Sequence, residues 1–340
     1  MKTAVVILNW NGAAMLARFL PSVVSHSGDA AVIVADNGST DGSLALLTSQ
    51  FPTVRQIRLD HNYGFAEGYN QALRLVEADY YMLLNSDVEV PEGWLAPLER
   101  CLDAHPDVAA CQPKLLCQWE RSQFEYAGAA GGYIDRLGYP FCRGRLFGTL
   151  EQDRGQYDTE ADVFWATGAA LMIRSAAYWA VGGLDGRFFA HQEEIDLCWR
   201  LRARGHRICC VPASVAYHVG GGTLPKENPR KTFLNFRNNL LLLYKNLPDA
   251  ELSAVMRRRR WLDALAACSF LLKGEWRSFK AVWRARREYR RLRPQFQADR
   301  EANLAATTVP AIPEMYAGSL LWAYYLAGIK QFSRLNFHFS

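Results

Sequence analysis

The sequence predicts an α/β fold: a Rossmann-like, mostly parallel sheet flanked by helices, followed by a helical C-terminal region. Three observations carry that expectation. Short apolar runs rich in β-branched residues alternate with helical stretches over the first hundred residues. Each strand-like run stops abruptly in a polar cluster, and from about residue 233 the pattern turns helical and basic.

The elements follow in order. "TAVVILN" (3–9) reads as a buried strand, "AAMLARFLPSVVSH" (13–26) as an amphipathic helix and "AAVIVAD" (30–36) as a second strand. "GSLALLTSQF" (42–51) is a helix entered through the capping residues Ser39, Thr40 and Asp41. "VRQIRL" (54–59), "FAEGYNQALRLVEA" (65–78) and "YYMLLN" (80–85) continue the alternation as strand, helix and strand. Short links between such units imply right-handed crossovers and parallel pairing, and ligands then bind beyond the carboxyl ends of the strands. Those ends are Asn9-Trp10-Asn11, Asp36-Asn37-Gly38, His61 to Gly64, and Asn85-Ser86-Asp87.

The middle is richer in glycine and aromatics. "GAAGGYIDRLGYPFCRGRLFG" (128–148) reads as a long, mobile glycine-rich surface loop, and "VFWATGAALMIR" (163–174) as a strand. "EEIDLCWRLRARG" (193–205) is a helix ended by Gly205, and "HRICCVP" (206–212) a further strand. The tail holds "FLNFRNNLLLLYKNLP" (233–248), the run Arg257 to Arg260 and the basic stretch 273–294; its apolar run 316–329 is shorter than the roughly twenty residues that span a bilayer.

Composition excludes several classes. Half of the 340 residues are hydrophobic and 21% charged, so the chain is globular rather than disordered. No secretory leader is visible, and the eight cysteines lack a Cys-x-x-Cys spacing, which argues against structural zinc or a disulfide framework and for a reducing cytoplasm. The net charge of +5 hides an asymmetry: residues 233–340 carry 18 basic and 8 acidic side chains. The natural division is therefore 1–232, a mildly acidic first unit, and 233–340, a basic helical region drawn to something anionic.

Two acidic elements stand out besides Asp36. Asn85, Ser86 and Asp87 end an apolar strand, and "HQEEID" (191–196) opens a helix. Each has a plain structural explanation: such tripeptides are common in turns, and carboxylates suit a helix N-terminus for dipole reasons alone. Their order along the chain weighs against that. "VVILNWNG", "VIVADNGSTDGS", "NYGFAEGYNQAL", "YYMLLNSDVEVPEGWL", the long segment from "WATGAALMIR" through "HQEEIDLCWRLRARGH", and "VAYHVGGGT" occur in sequence over about residues 3–245. This set resembles the family 2 glycosyltransferases with a GT-A fold, and within them the bacterial rhamnosyltransferase-type enzymes of surface polysaccharides.

The resemblance implies a nucleotide-diphosphate sugar lying across the strand ends. Asp36 matches the carboxylate that accepts from a pyrimidine N–H; Leu8, Asn9 and Asn11 match the wall of the base and ribose pocket. Asn62, Gly64, Gly68 and Asn70 match positions of close approach to the nucleotide, and Trp165, Thr167 and Gly168 a segment beside the donor sugar and acceptor. Asn85, Ser86 and Asp87 align with the family's metal-binding acidic triplet, although Asn85 brings no charge. Asp87 is then the ligand for Mg²⁺ or Mn²⁺, with His218 a second ligand or a phosphate contact. Glu193 and Glu194 match an acidic pair whose second member is the general base, here a Glu where the family usually has Asp. The implied reaction is inverting displacement at the anomeric carbon.

In the tail, Trp276, Phe279 and Trp283 recur at helical spacing among nine basic residues between 273 and 293. Such a helix suits an anionic membrane surface, packing on the catalytic unit, or a second copy in a homodimer. No recognition motif for nucleic acid accompanies the charge. The expected acceptor is a glycan or a polyprenyl-linked intermediate at the inner face of the cell membrane. Two other readings stay open on sequence: a nucleotidyltransferase, which also binds nucleotide and metal beyond strand ends, and a non-catalytic carbohydrate-binding relative.

Overall fold

The computed structural model describes residues 1–220 and 228–337. β1 (Thr3–Asn9), α1 (Ala13–His26), β2 (Ala31–Asn37), α2 (Ser43–Gln50), β3 (Arg55–Leu59), α3 (Gly64–Leu73) and β4 (Tyr80–Asn85) alternate as the sequence pattern requires. β5 (Val88–Glu89), α4 (Leu95–Ala104) and the long β6 (Val108–Cys117) follow. Next come four short strands, β7 (Gly132–Asp135), β8 (Pro140–Cys142), β9 (Arg145–Leu146) and β10 (Thr149–Leu150). β11 (Ala161–Asp162), β12 (Ala170–Arg174), α5 (Ser175–Ala180), α6 (Glu193–Ala203) and β13 (Arg207–His218) complete the first two thirds. The C-terminal third holds α7 (Pro229–Asn246), α8 (Asp249–Leu272), α9 (Trp276–Leu292), α10 (Gln297–Ala305) and β14 (Met315–Tyr316).

The main sheet runs β3-β2-β1-β4-β12-β6-β13-β11, with β5 pairing on β13. β3, β2, β1 and β4 are parallel, as right-handed crossovers demand; β12 then enters antiparallel to both β4 and β6. Alternation along each strand separates two apolar layers. Val5 and Ile7 join Tyr80, Met82 and Leu84 in the core beneath α1, α2 and α4, while Ala4, Val6, Tyr81 and Leu83 face the core shared by α3, α6 and α7.

Residues 128–148 are not the mobile surface loop expected from their glycines. They supply β7, β8 and β9 of a second sheet, β10-β9-β8-β7-β14, and their Ala129, Ala130, Tyr133, Ile134, Phe141 and Cys142 are fully buried. The glycines are there for packing. Gly131, Gly138 and Gly144 have positive φ of 104°, 84° and 100° and turn the chain within the span of these short strands. At Gly132 the ring of Trp165 lies where a Cβ would be, and Trp165 Nε1 donates to Tyr133 O at 2.9 Å. This pairing also shortens the strand expected over 163–174 to Ala170–Arg174. The backbones of Phe164 and Trp165 bond to Gly132 instead of continuing along the main sheet.

The C-terminal third shares the main apolar core. Leu240 to Leu243 of α7 are wholly buried in it, and Asn228 caps α7 by accepting from Arg230 N at 2.9 Å, with Pro229 in the first turn. The chain end returns as β14 to pair with β7. Among the described residues no helix is long and apolar enough to cross a membrane.

Gly132→Ala should lower stability by about 1–3 kcal/mol in urea unfolding, because the added methyl must displace the Trp165 ring in a packed interior.

Candidate active site

Register places the polar strand ends side by side. Asn9 pairs with Asp36 across β1 and β2, and Leu8 with Asn85 across β1 and β4, so three segments expected to touch a donor end at one edge of the sheet. Their side chains lace the loops together. Asn9 Nδ2 donates to Asp36 Oδ1 at 3.1 Å and to Ser39 Oγ at 3.2 Å; Ser39 N donates to the other Asp36 oxygen at 3.0 Å. Asn11, held at φ 50°, accepts from Thr40 N at 2.7 Å. Asp41 accepts from Ala13 N at 3.0 Å, tying the second loop to the start of α1. Asn9 Oδ1 is buried without a partner.

The next loop is braced in the same way. Asn37 spans Asn62, Tyr63 and Gly64 through both ends of its amide, and Asn62 Oδ1 accepts from Gly64 N at 2.8 Å. Asn62 thus shapes the loop as well as lining it. Gly38 and Gly64 have φ of 70° and 82°, and a Cβ would fall 2.6 Å from His61 backbone at the first and 2.5 Å from the Phe189 ring at the second. Asn70 does not face this edge. Its amide is consumed inside the fold by Tyr178 Oη at 2.6 Å and by Leu184 N and O.

Asp87 is brought to His218 by a detail of topology. β13 is twelve residues long and reaches β5, where His218 pairs with Val88. His218 Nε2 lies 3.1 Å from Asp87 Oδ1, and Nδ1 lies 3.3 Å from Glu125 Oε1. Burial alone would push this imidazole down, but the Glu125 and Asp87 carboxylates outweigh it and hold it up at about 10. Burial works against the charge on Asp87 as well, yet the facing His218 leaves it below the usual carboxylate range. Glu125 was not anticipated from sequence. The one available signal is an acid inside the apolar-aromatic string "FEYAGAA" (124–130), where a buried carboxylate needs a partner. Gly221 and Gly222 of "YHVGGG" lie outside the described residues.

The acidic pair sits at the mouth of a strained turn. Phe189, His191 and Gln192 have φ of 66°, 72° and 70°, unusual for residues with side chains. Asn238 of α7 secures the turn by donating to the carbonyls of Phe188, Ala190 and His191 at 2.7–3.0 Å. Glu193 and Glu194 then open α6, each with its Oε2 buried and unpartnered. Burial, with the neighbouring Glu194 charge, drives Glu193 well above the usual carboxylate range. Burial lifts Glu194 to about 7, partly offset by backbone N–H groups at the helix start. Gly168 leaves room beside Glu194, since a Cβ there would stand 3.8 Å from Glu194 Cβ and 3.5 Å from Phe65.

Trp165 and Thr167 are placed differently from Gly168. Trp165 is core, stacked against Gly132, and Thr167 is buried, its N donating to Gln112 Oε1 at 2.9 Å. Asp196 is likewise internal, bound to Arg200, Lys245 and Asn246. It anchors α7 to α6.

Asp36, Asp87 and the Glu193–Glu194 pair thus stand around the polar end of a mixed sheet, and the chain's similarities to known proteins can be set beside that geometry. The profile described as glycosyl transferase family 2 matches residues 4–179, half of the chain. The chain belongs to glycosyl transferase family 2. Its similarity to the N-acetylglucosaminyl-diphospho-decaprenol L-rhamnosyltransferase of Mycobacterium tuberculosis is 28% identity over 231 residues, 63% of this chain and 75% of that protein. It is 25% identical to the rhamnosyltransferase WbbL of Escherichia coli over 162 residues, 46% of this chain and 59% of the other. Among solved structures, S. aureus TarS 1–349 with UDP-GlcNAc aligns with a TM-score of 0.56 at 15% identity, covering 90% of this chain and 89% of that one. The mannosyltransferase PcManGT of Pyrobaculum calidifontis, in complex with GDP-Man and Mn²⁺, aligns with a TM-score of 0.52 at 13% identity, covering 89% and 86%. The fold is thus the GT-A arrangement of this family, a mixed sheet with flanking helices and a helical C-terminal region.

The Glu194 environment has a measurable cost. A carboxyl whose pKa is raised on folding binds its proton more tightly in the native state, so stability declines as pH rises from the unfolded value near 4.5 toward about 7. Glu193, Cys142 and Cys198 feel the Glu194 charge, and burial pushes both thiols further up. Glu194→Gln should therefore raise the melting temperature at pH 8 and leave it nearly unchanged at pH 5, read by differential scanning fluorimetry.

Proposed function

We propose that this protein is an inverting, metal-dependent glycosyltransferase. It moves a sugar, with rhamnose from a dTDP donor as the first choice, onto a lipid-linked or polysaccharide acceptor at the inner face of the cell membrane. The observation that carries this reading is the pair Glu193 and Glu194: two buried carboxyls beside Gly168, one held near neutrality, at the edge where the strand ends gather. A carboxylate with a pKa near the working pH suits removal of a proton from an acceptor hydroxyl in the transition state. Glu194 takes that role, and Glu193, whose carboxyl burial and its neighbour push well above the usual range, shapes the acceptor pocket.

Residues 1–232 supply the nucleotide-sugar site. Asp36, fixed by Asn9 and Ser39, presents its carboxylate to the base; Leu8, Asn11, Asn62, Gly64, Asn85 and Ser86 form the walls. Among the described residues no three acidic, histidine or cysteine groups converge into a complete metal cage. Asp87 would hold an ion that takes its other ligands from diphosphate oxygens and water, as Mg²⁺ and Mn²⁺ do, while His218, kept cationic between Asp87 and Glu125, would contact a phosphate rather than the metal. Bound there, such an ion would neutralise charge on the nucleoside diphosphate leaving group. PcManGT, with Mn²⁺ and a nucleotide sugar on the same fold, and the decaprenol-diphosphate acceptor named for the mycobacterial relative both support the reading.

The test is acceptor-dependent release of nucleoside diphosphate from a panel of nucleotide sugars with Mg²⁺ or Mn²⁺. Wild type should turn over one donor in the presence of metal and lose that turnover in EDTA. Glu194→Gln should lose about 10²–10⁴-fold in kcat while still binding donor; undiminished kcat would remove Glu194 as the base. The wild-type rate should climb with pH through about 7 as Glu194 ionises.

Residues 233–340 contribute a membrane-facing surface in this reading. Trp261, Leu265 and Leu272 of α8 and Trp276 and Trp283 of α9 are exposed, among Arg257, Arg258 and Arg260. Exposed tryptophans flanked by cations are the composition of an interfacial helix. The protein should co-sediment with vesicles containing phosphatidylglycerol, less with pure phosphatidylcholine, and Trp276→Ser with Trp283→Ser should weaken that several-fold. Equal sedimentation by variant and wild type would assign this face to a second copy instead.

A further inference from the structure

Beside the acidic pair, α7 and α9 face each other through matching helical stripes. Arg230, Phe233, Leu234 and Arg237 line one wall of a cavity of about 680 Å³; Arg277, Lys280, Ala281 and Arg284 line the other. Both stripes follow the i, i+3, i+4, i+7 spacing, with a cation at each end and Phe233, Leu234, Lys280 and Ala281 between them. Among the described residues no acidic side chain lines the cavity. Arg237 is buried, committed through its guanidinium to Phe188 O at 2.8 Å and to Asn238 Oδ1. Arg230, Arg277, Lys280 and Arg284 make no ion pair among the described residues. Three of them stand over aromatic rings: Arg230 over Phe189 at 5.2 Å, Arg284 over Phe233 at 5.6 Å and Lys280 over Trp276 at 5.7 Å.

Like charges brought together in a concave, partly apolar setting repel one another and focus a positive potential on whatever enters. An anion with several oxygens relieves that repulsion, and arginine forks match phosphate geometry. Position narrows the choice. Phe189 is the shared wall: its ring lies against Gly64 of the donor edge on one side, Arg230 stands over it on the other, and four residues later the chain reaches Glu193. The exposed Trp276 and Trp283 lie on the same helix as the cationic wall, placing the cavity next to the face assigned above to the lipid surface. We propose that this basic cavity is a diphosphate site for the acceptor, holding the diphosphate of a lipid-linked glycan so that its sugar hydroxyl reaches Glu194. The assignment rests on the glycosyltransferase reading and adds the acceptor's anchoring group to it.

The test compares full-length wild type with two triple variants. One carries Arg277→Gln, Lys280→Gln and Arg284→Gln in the cavity wall. The other removes the same charge from α8 through Arg257→Gln, Arg258→Gln and Arg260→Gln. Binding of farnesyl diphosphate and of farnesol is followed by tryptophan fluorescence in neutral detergent with EDTA, which withholds metal from the donor edge, and inorganic pyrophosphate is added as a competitor. Wild type and the α8 variant should prefer the diphosphate at least ten-fold over the alcohol, and the cavity variant should lose that preference. In turnover, the cavity variant should raise KM ten-fold or more for a prenyl-diphosphate-linked glycan, with KM for the nucleotide sugar and for a neutral alkyl glycoside unchanged. Retained preference in the cavity variant, or equal loss in the α8 variant, overturns the site. Pyrophosphate displacing farnesyl diphosphate at equal concentration would show a free-phosphate site with no role for the lipid. A rise confined to donor KM would reassign the cavity to the nucleotide. If wild type turns over no donor while the cavity still selects diphosphate, the glycosyltransferase reading fails separately.

Discussion

The register of β1 against its two neighbours is the constraint on which the site depends. With Asn9 opposite Asp36 and Leu8 opposite Asn85, three loops leave the sheet at the same level and can share hydrogen bonds. A slip of one residue on β1 would exchange Val5 and Ile7 with Ala4 and Val6 between the two apolar layers, so packing on both faces holds the polar edge in place. The Asn9, Asp36 and Ser39 bonds then lock what the core has already aligned. Chemistry at this edge is positioned by hydrophobic burial several residues away.

A second theme is how the fold keeps costly groups in place. Two adjacent buried carboxyls and a turn with three left-handed side-chain residues all oppose folding. They are held from outside: Asn238 fixes the turn, and Asp196 ties α6 to Lys245 and Asn246 of α7. The helix that belongs by charge to the basic tail therefore braces the turn that carries Glu193 and Glu194. Through its Arg230 to Arg237 stripe it also forms one wall of the cationic cavity, so one element braces the acidic pair and lines the neighbouring pocket.

Much of this was legible in the sequence, for identifiable reasons. The strands 3–9 and 80–85 and the helix 13–26 are as the pattern predicts, because period-2 and period-3.6 burial are local signals. Asp87 and His218 were paired in expectation by resemblance, and the twelve-residue β13 brings them to 3.1 Å. Residues 128–148 were misread because glycine-rich, aromatic composition resembles a loop until the partner rings are known. Trp165 fills the space at Gly132, and Phe124 the space at Gly144, from segments distant in sequence. Resemblance alone puts Asn70, Trp165 and Thr167 at the cleft; the structure uses them inside the fold, since a side chain's direction depends on which element packs over it.

The sequence by itself determined the alternation of elements, the polar character of every strand end, the family and the basic character of the tail, because each is written in local composition and order. Tertiary structure decided which polar residues meet: Glu125 with His218, Asn238 with the strained turn, and the two cationic stripes of α7 and α9 with each other. Those meetings depend on non-local packing, in which a buried charge or an orphaned amide is stable only where the fold supplies its partner.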